Sequence, residues 1–98
     1  MATTQEQLRE VRSKIDRAVE AVRSERGASP VLIAVVGEFA NKAEKAAGSD
    51  DERAAVIELE QAGDSAKVAA EADSNVSDAT RQAVLDAHLA ICIAKSKL

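Results

Sequence analysis

Apolar residues recur along this chain at alternating intervals of three and four. Leu8, Val11, Ile15, Ala18 and Val22 make one such run, and Leu32, Val36, Phe39, Ala43 and Ala46 a second. A third runs through Ala55, Leu59, Ala62, Ala66 and Ala69, and a fourth through Thr80, Val84, Ala87, Ile91, Ala94 and Leu98. At 3.6 residues per turn, each run falls on a single helix face. No stretch alternates with period two and no Asn-Gly or Asp-Gly turn occurs, so strands are not expected.

Punctuation between the runs sets the helix ends. In Gly27-Ala28-Ser29-Pro30, Gly27 is expected as a left-handed stop, Ser29 as an N-cap and Pro30 as a first helical residue. Gly48 repeats the stop, and Ser49 with Glu52 has the spacing of a capping box, as does Thr3 with Glu6. Asp73-Ser74-Asn75-Val76-Ser77 is a third break, built from side chains that compete for backbone groups. The pattern predicts helices over about 4–26, 30–47, 50–72 and 78–96. The third break holds neither Gly nor Pro, so fusion of the last two helices into one long, dimerising element is the alternative. Short loops between long helices force antiparallel neighbours. The expectation is an all-α fold, an antiparallel up-down-up-down four-helix bundle in which residues 1–98 form one helical domain.

Composition then says how such a bundle must pack. The chain has 21 alanines, and Leu, Ile, Val and Phe together supply 22 of 98 residues. Alanine at seam positions adds little bulk, but it lets helix backbones approach toward the short end of the roughly 8–10 Å interaxial range. The bundle is therefore expected to have Ala-rich seams. Gly63 falls near the apolar arc of the third helix and suggests a close approach there. Gly37 lies on a polar face.

The helices are not equally one-sided. Between Ala83 and Ala94, 10 of 12 positions are apolar, interrupted only by Asp86 and His88. Leu85, Leu89, Cys92 and Ile93 make a second apolar face on the fourth helix, and Ile57 and Val68 lie opposite the main stripe of the third. A helix apolar on two faces is either central or part of an interface, and no helix of a four-helix bundle is central. These six positions are the expected interface of a homodimer.

Charge narrows the partners. The chain carries 17 acidic and 13 basic residues, a net −4. Residues 50–78 hold nine acids and two bases, either a solvated face or a docking face for a basic or helical protein. Nucleic acid needs a net basic surface and is favoured by aromatic stacking. Phe39 is the one aromatic residue, so no nucleic-acid partner is expected. No apolar stretch is longer than Val31 to Val36, far below the roughly 20 residues of a membrane span. No basic segment leads into an apolar run at the N-terminus, and one cysteine offers no internal disulfide. These features favour a cytoplasmic protein with no membrane partner.

Candidate chemistry is sparse. His88 lies in line with Arg81 and Lys95, seven residues to either side, making a basic stripe suited to a phospho-accepting histidine with cationic neighbours. In size and architecture this resembles the histidine phosphotransfer domains. Those usually place Lys three residues after the histidine and Gly next, where this chain has Ile91 and Cys92. His88 and Cys92, four apart, have usable metal-ligand spacing but are only two ligands. Glu60 and Asp64, also four apart, could belong to an oligomeric metal-dependent helical enzyme if a facing helix supplied further acids. Di-iron chemistry needs two Glu-x-x-His motifs, and there is a single His. The leading expectation is a small non-enzymatic interaction or assembly protein without cofactor or metal. The alternatives are a phosphocarrier or regulatory domain using His88, and a metal-enzyme subunit using Glu60 and Asp64.

Overall fold

The computed structural model describes residues 4–97. They form α1 (Thr4–Arg23), α2 (Pro30–Ala47), α3 (Glu52–Ala72) and α4 (Asp78–Ser96). The chain is an all-α four-helix bundle, 38 × 22 × 18 Å, with antiparallel neighbours. α1 packs on α2 and α4, and α3 packs on α2 and α4, while diagonal pairs barely touch. The α1/α4 seam and the α2/α3 seam therefore lie on opposite sides of the bundle. The expected Thr3–Glu6 cap and the position of Leu98 lie outside the described residues.

Three of the four apolar stripes are buried as the periodicity predicts. Leu8, Val11, Ile15, Ala18 and Val22 close α1 onto the core, and Leu32, Val36, Phe39, Ala43 and Ala46 do so for α2. Thr80, Val84, Ala87, Ile91 and Ala94 do so for α4. α3 is rotated by a fraction of a turn from expectation. It buries Val56, Leu59, Gly63, Ala66 and Ala70, while Ala55, Ala62 and Ala69 sit half-buried at the border. The cause is Phe39, the largest fully buried side chain. Its ring lies on Gly63, where an added Cβ would stand 3.0 Å from Phe39 Cζ and 3.3 Å from Ile91 Cγ2. The Gly63 backbone thus accepts the bulk of both neighbouring helices, and α3 turns to present it.

The caps differ from expectation in detail. Ser29 caps α2, accepting from the Leu32 N–H at 3.1 Å, with Pro30 opening the helix. Ser49 does not cap α3. Asp51 does, accepting from the Ala54 N–H at 3.0 Å, while Ser49 Oγ accepts from the Asp51 N–H just ahead of the helix. No described glycine has positive φ, so Gly27 is not a left-handed stop. Its missing side chain instead admits the facing loop, since a Cβ there would lie 2.9 Å from the Asn75 carbonyl oxygen.

Both breaks at this end of the bundle hold each other. α1 stops at Arg23 rather than 26, and Glu25 turns across to α4. Three donors converge on Glu25 Oε1: the Ser77 N–H at 3.0 Å, Ser77 Oγ at 2.6 Å and Thr80 Oγ1 at 2.7 Å. Asp73 is buried and accepts from the Ser29 N–H at 2.8 Å and the Asn75 N–H at 2.9 Å. Arg81 donates from Nε to the Ala70 carbonyl and from Nη2 to the Asp73 and Val76 carbonyls. A break without Gly or Pro is thus a firm one, because side chains from three elements satisfy its backbone groups. Helices 3 and 4 remain separate.

Candidate functional site

The polar residues singled out in the sequence meet on the outer face of α3 and α4. His88 Nε2 lies 2.6 Å from Asp64 Oδ1. This hydrogen bond occupies the Nε2 position of the ring. Cys92, one turn further along α4, has its sulfur 3.6 Å from Nε2 and 4.0 Å from Nδ1. One turn beyond, Lys95 Nζ donates to Glu60 Oε1 at 2.8 Å. This bond holds the Lys95 ammonium above its ordinary range.

The chemistry open to this cluster is limited by those pairings. Burial pushes the Cys92 thiol up, and the Glu60 and Asp64 carboxylates push it the same way. A nucleophilic cysteine needs the opposite shift and a base with a free nitrogen facing the sulfur. Here the nearer nitrogen is occupied by Asp64. A phosphoryl group on His88 would need cations around it. Lys95 is bound to Glu60, and Arg81 is bound to three carbonyls and to Asp78 at 2.7 Å. Glu60 faces Lys95 and Asp64 faces His88, rather than one another. Among the described residues no group of three or more His, Cys, Asp and Glu side chains is placed to hold a metal ion.

Most acids of 50–78 also have hydrogen-bond or ion-pair partners. Glu58 pairs with Lys42 and Glu71 with Lys67, both at 3.9 Å. Glu52 accepts from Gln5, Asp51 caps α3, Asp73 holds the loops and Asp78 meets Arg81. Exposed pairs of this kind add little stability. Glu58, Glu60, Glu71 and Asp78 face a lysine or arginine, whereas the neutral donors at Asp51, Glu52 and Asp73 leave the charge of those carboxylates in place.

Large apolar side chains also remain uncovered. Leu89 is 57% exposed and Ile93 47%, side by side on α4. They line a groove of about 370 Å³ between α1 and α4, over Val11, Ala90 and Ala94. Across the bundle, Val31 and Val68, 64% and 65% exposed, border a shallower trough of about 510 Å³ between α2 and α3. The six expected interface positions are therefore not one surface. Leu89 and Ile93 share the α1/α4 groove, Val68 lies in the opposite trough, Leu85 and Cys92 are half-buried, and Ile57 is exposed on α3. The periodicity placed these residues outside the main stripes but did not assign them to seams. It also missed Val31 and the polar groove residues of α1, because their surroundings are set by α3 and α4.

Among the described residues, no helix is long and apolar enough to cross a membrane. In comparisons with protein-family models, curated proteins and solved structures, nothing matches this chain.

Proposed function

We propose that this chain is a non-enzymatic helical module that associates with itself through apolar positions that α4 leaves outside its own bundle. The observation that carries this reading is the adjacent exposure of Leu89 and Ile93 beside α1. Adjacent large apolar side chains above an apolar floor gain free energy when covered, at roughly 25 cal/mol per Å² removed from water. A second support is the state of the polar cluster. His88, Asp64, Glu60, Lys95 and Arg81 are engaged with one another or with backbone, which suits packing of α3 on α4 better than turnover.

The test is solution mass. Sedimentation at micromolar concentration should give a particle of twice the 10.3 kDa chain. Leu89→Glu should return it to a single chain, weakening association at least about a hundredfold by placing a carboxylate in an apolar contact. Its helix content should be unchanged, because Leu89 lies outside the core. His88→Ala should leave association as it was. A native protein that sediments as one chain would remove the proposal.

A further inference from the structure

The seams of the bundle differ in how their charges are used. Lys42 bridges to Glu58 across α2/α3. Lys95 and His88 bridge to Glu60 and Asp64 across α3/α4. Among the described residues no ion pair crosses the α1/α4 seam. Yet that groove is rimmed by two acids, Glu10 and Asp86, and two bases, Lys14 and Lys97. Asp86 receives only the neutral Gln82 amide, at 2.8 Å. Of these four, Lys14 and Asp86 are the opposite charges that a second copy of the groove can match.

The register says which charges would meet. α1 begins where α4 ends, because the two are antiparallel. Lys14 is ten residues from the start of α1 at Thr4, and Asp86 is ten residues from the end of α4 at Ser96. At a common rise per residue, the two lie at about the same level on opposite walls of the groove. A two-fold axis running along the bundle lays α1 of one copy over α4 of the other and keeps every residue at its level. Such a contact is isologous, so each cross-pair occurs twice.

We propose that a second copy of this chain docks on the α1/α4 groove about such an axis, burying Leu89 and Ile93 and setting Lys14 of each copy against Asp86 of the other. This rests on the reading of the chain as a self-associating module, and it assigns the contact. The opposite α2/α3 trough takes no part in it.

Charge exchange tests it. Lys14→Glu and Asp86→Lys are prepared separately and sedimented alone and as an equimolar mixture. Alone, each variant sets like charges face to face at both cross-pairs, and its dissociation constant should rise at least about tenfold. Mixed, Glu at position 14 of one chain meets Lys at position 86 of the other, while the native Lys14 meets the native Asp86. Association should return to within a few-fold of wild type, which misfolded variants could not produce. A mixture no tighter than either variant alone, or single variants as tight as wild type, would overturn this contact. With a wild type that still dimerises, the self-association reading would then stand without it. A monomeric wild type would overturn both.

Discussion

Glu25 sits in a turn, yet its carboxylate holds Ser77, the N-cap of α4, 52 residues further along the chain. Its carboxyl is held below the ordinary range chiefly by the Ser77 hydroxyl, then by Thr80 and the Ser77 N–H. Asp73 is lowered as well, first by the Ser29 N–H and then by that of Asn75. For such groups the unfolded chain binds protons more readily than the folded one. Their stabilisation is therefore present above the unfolded pKa and lost as pH falls through the folded one. Melting temperature should drop as the pH is lowered below about 4, where unfolded carboxyls begin to protonate. A Glu25→Gln, Asp73→Asn double variant should melt lower than wild type at pH 7 and lose less on acidification. Equal acid slopes for the two proteins would mean that these carboxylates do not fasten the loops. Neither role was legible in the sequence. A capping serine announces itself by its neighbours, whereas Glu25 and Asp73 act on residues 44 to 55 positions away. Arg81 was visible only as one cation of a stripe, although its carbonyl partners lie within 11 residues. Its stripe neighbours do share a face, but Arg81 is spent on the turn that ends α3.

At the scale of helices, the three- and four-residue spacing was enough to identify every buried position of α1, α2 and α4 among the described residues. It failed on α3 for a physical reason. An alanine-rich helix offers little contrast between faces, and a glycine contributes nothing to an apolar pattern even where it receives the largest side chain of the core. Gly63 and Gly37 make this testable as a pair. Alanine in place of helical glycine gains about 0.5–1 kcal/mol when nothing opposes it. At Gly37 no atom lies within 4 Å of the added methyl, so Gly37→Ala should stabilise by about that amount. At Gly63 the methyl would stand 3.0 Å from the Phe39 ring and 3.3 Å from Ile91 Cγ2, both fully buried side chains. Overpacking of this kind costs about 1–3 kcal/mol, more than the propensity gain. Gly63→Ala should therefore destabilise in urea titration while Gly37→Ala stabilises. The same sign at both sites would show that the Phe39 contact does not set the orientation of α3.

For the molecule as a whole, the question is what covers the apolar surface left over by four short stripes. A chain of this size buries a smaller share of its surface than a larger domain does, and its stability is correspondingly modest. Its alanine seams let the helices approach but do not remove the larger residues from solvent. Leu89 and Ile93 are exposed on one side, Val31 and Val68 on the other. That the fourth helix had apolar residues to spare was legible in the sequence. That they divide between opposite sides was not, because it depends on which helices become neighbours in the ring. If the α1/α4 side is closed by a second copy, folding and association share one equilibrium, and the dimer draws stability from mass action. The melting temperature of the wild type should then rise with protein concentration, on the order of a few degrees per tenfold for a domain this small. Leu89→Glu should melt at one temperature across the same range, and Val68→Glu should keep the wild-type dependence, because Val68 lies across the bundle from the groove. A concentration dependence abolished by Val68→Glu and kept by Leu89→Glu would move the contact to the α2/α3 side. Self-association would survive that result, but the unpaired charges of the α1/α4 rim would then have no part in it.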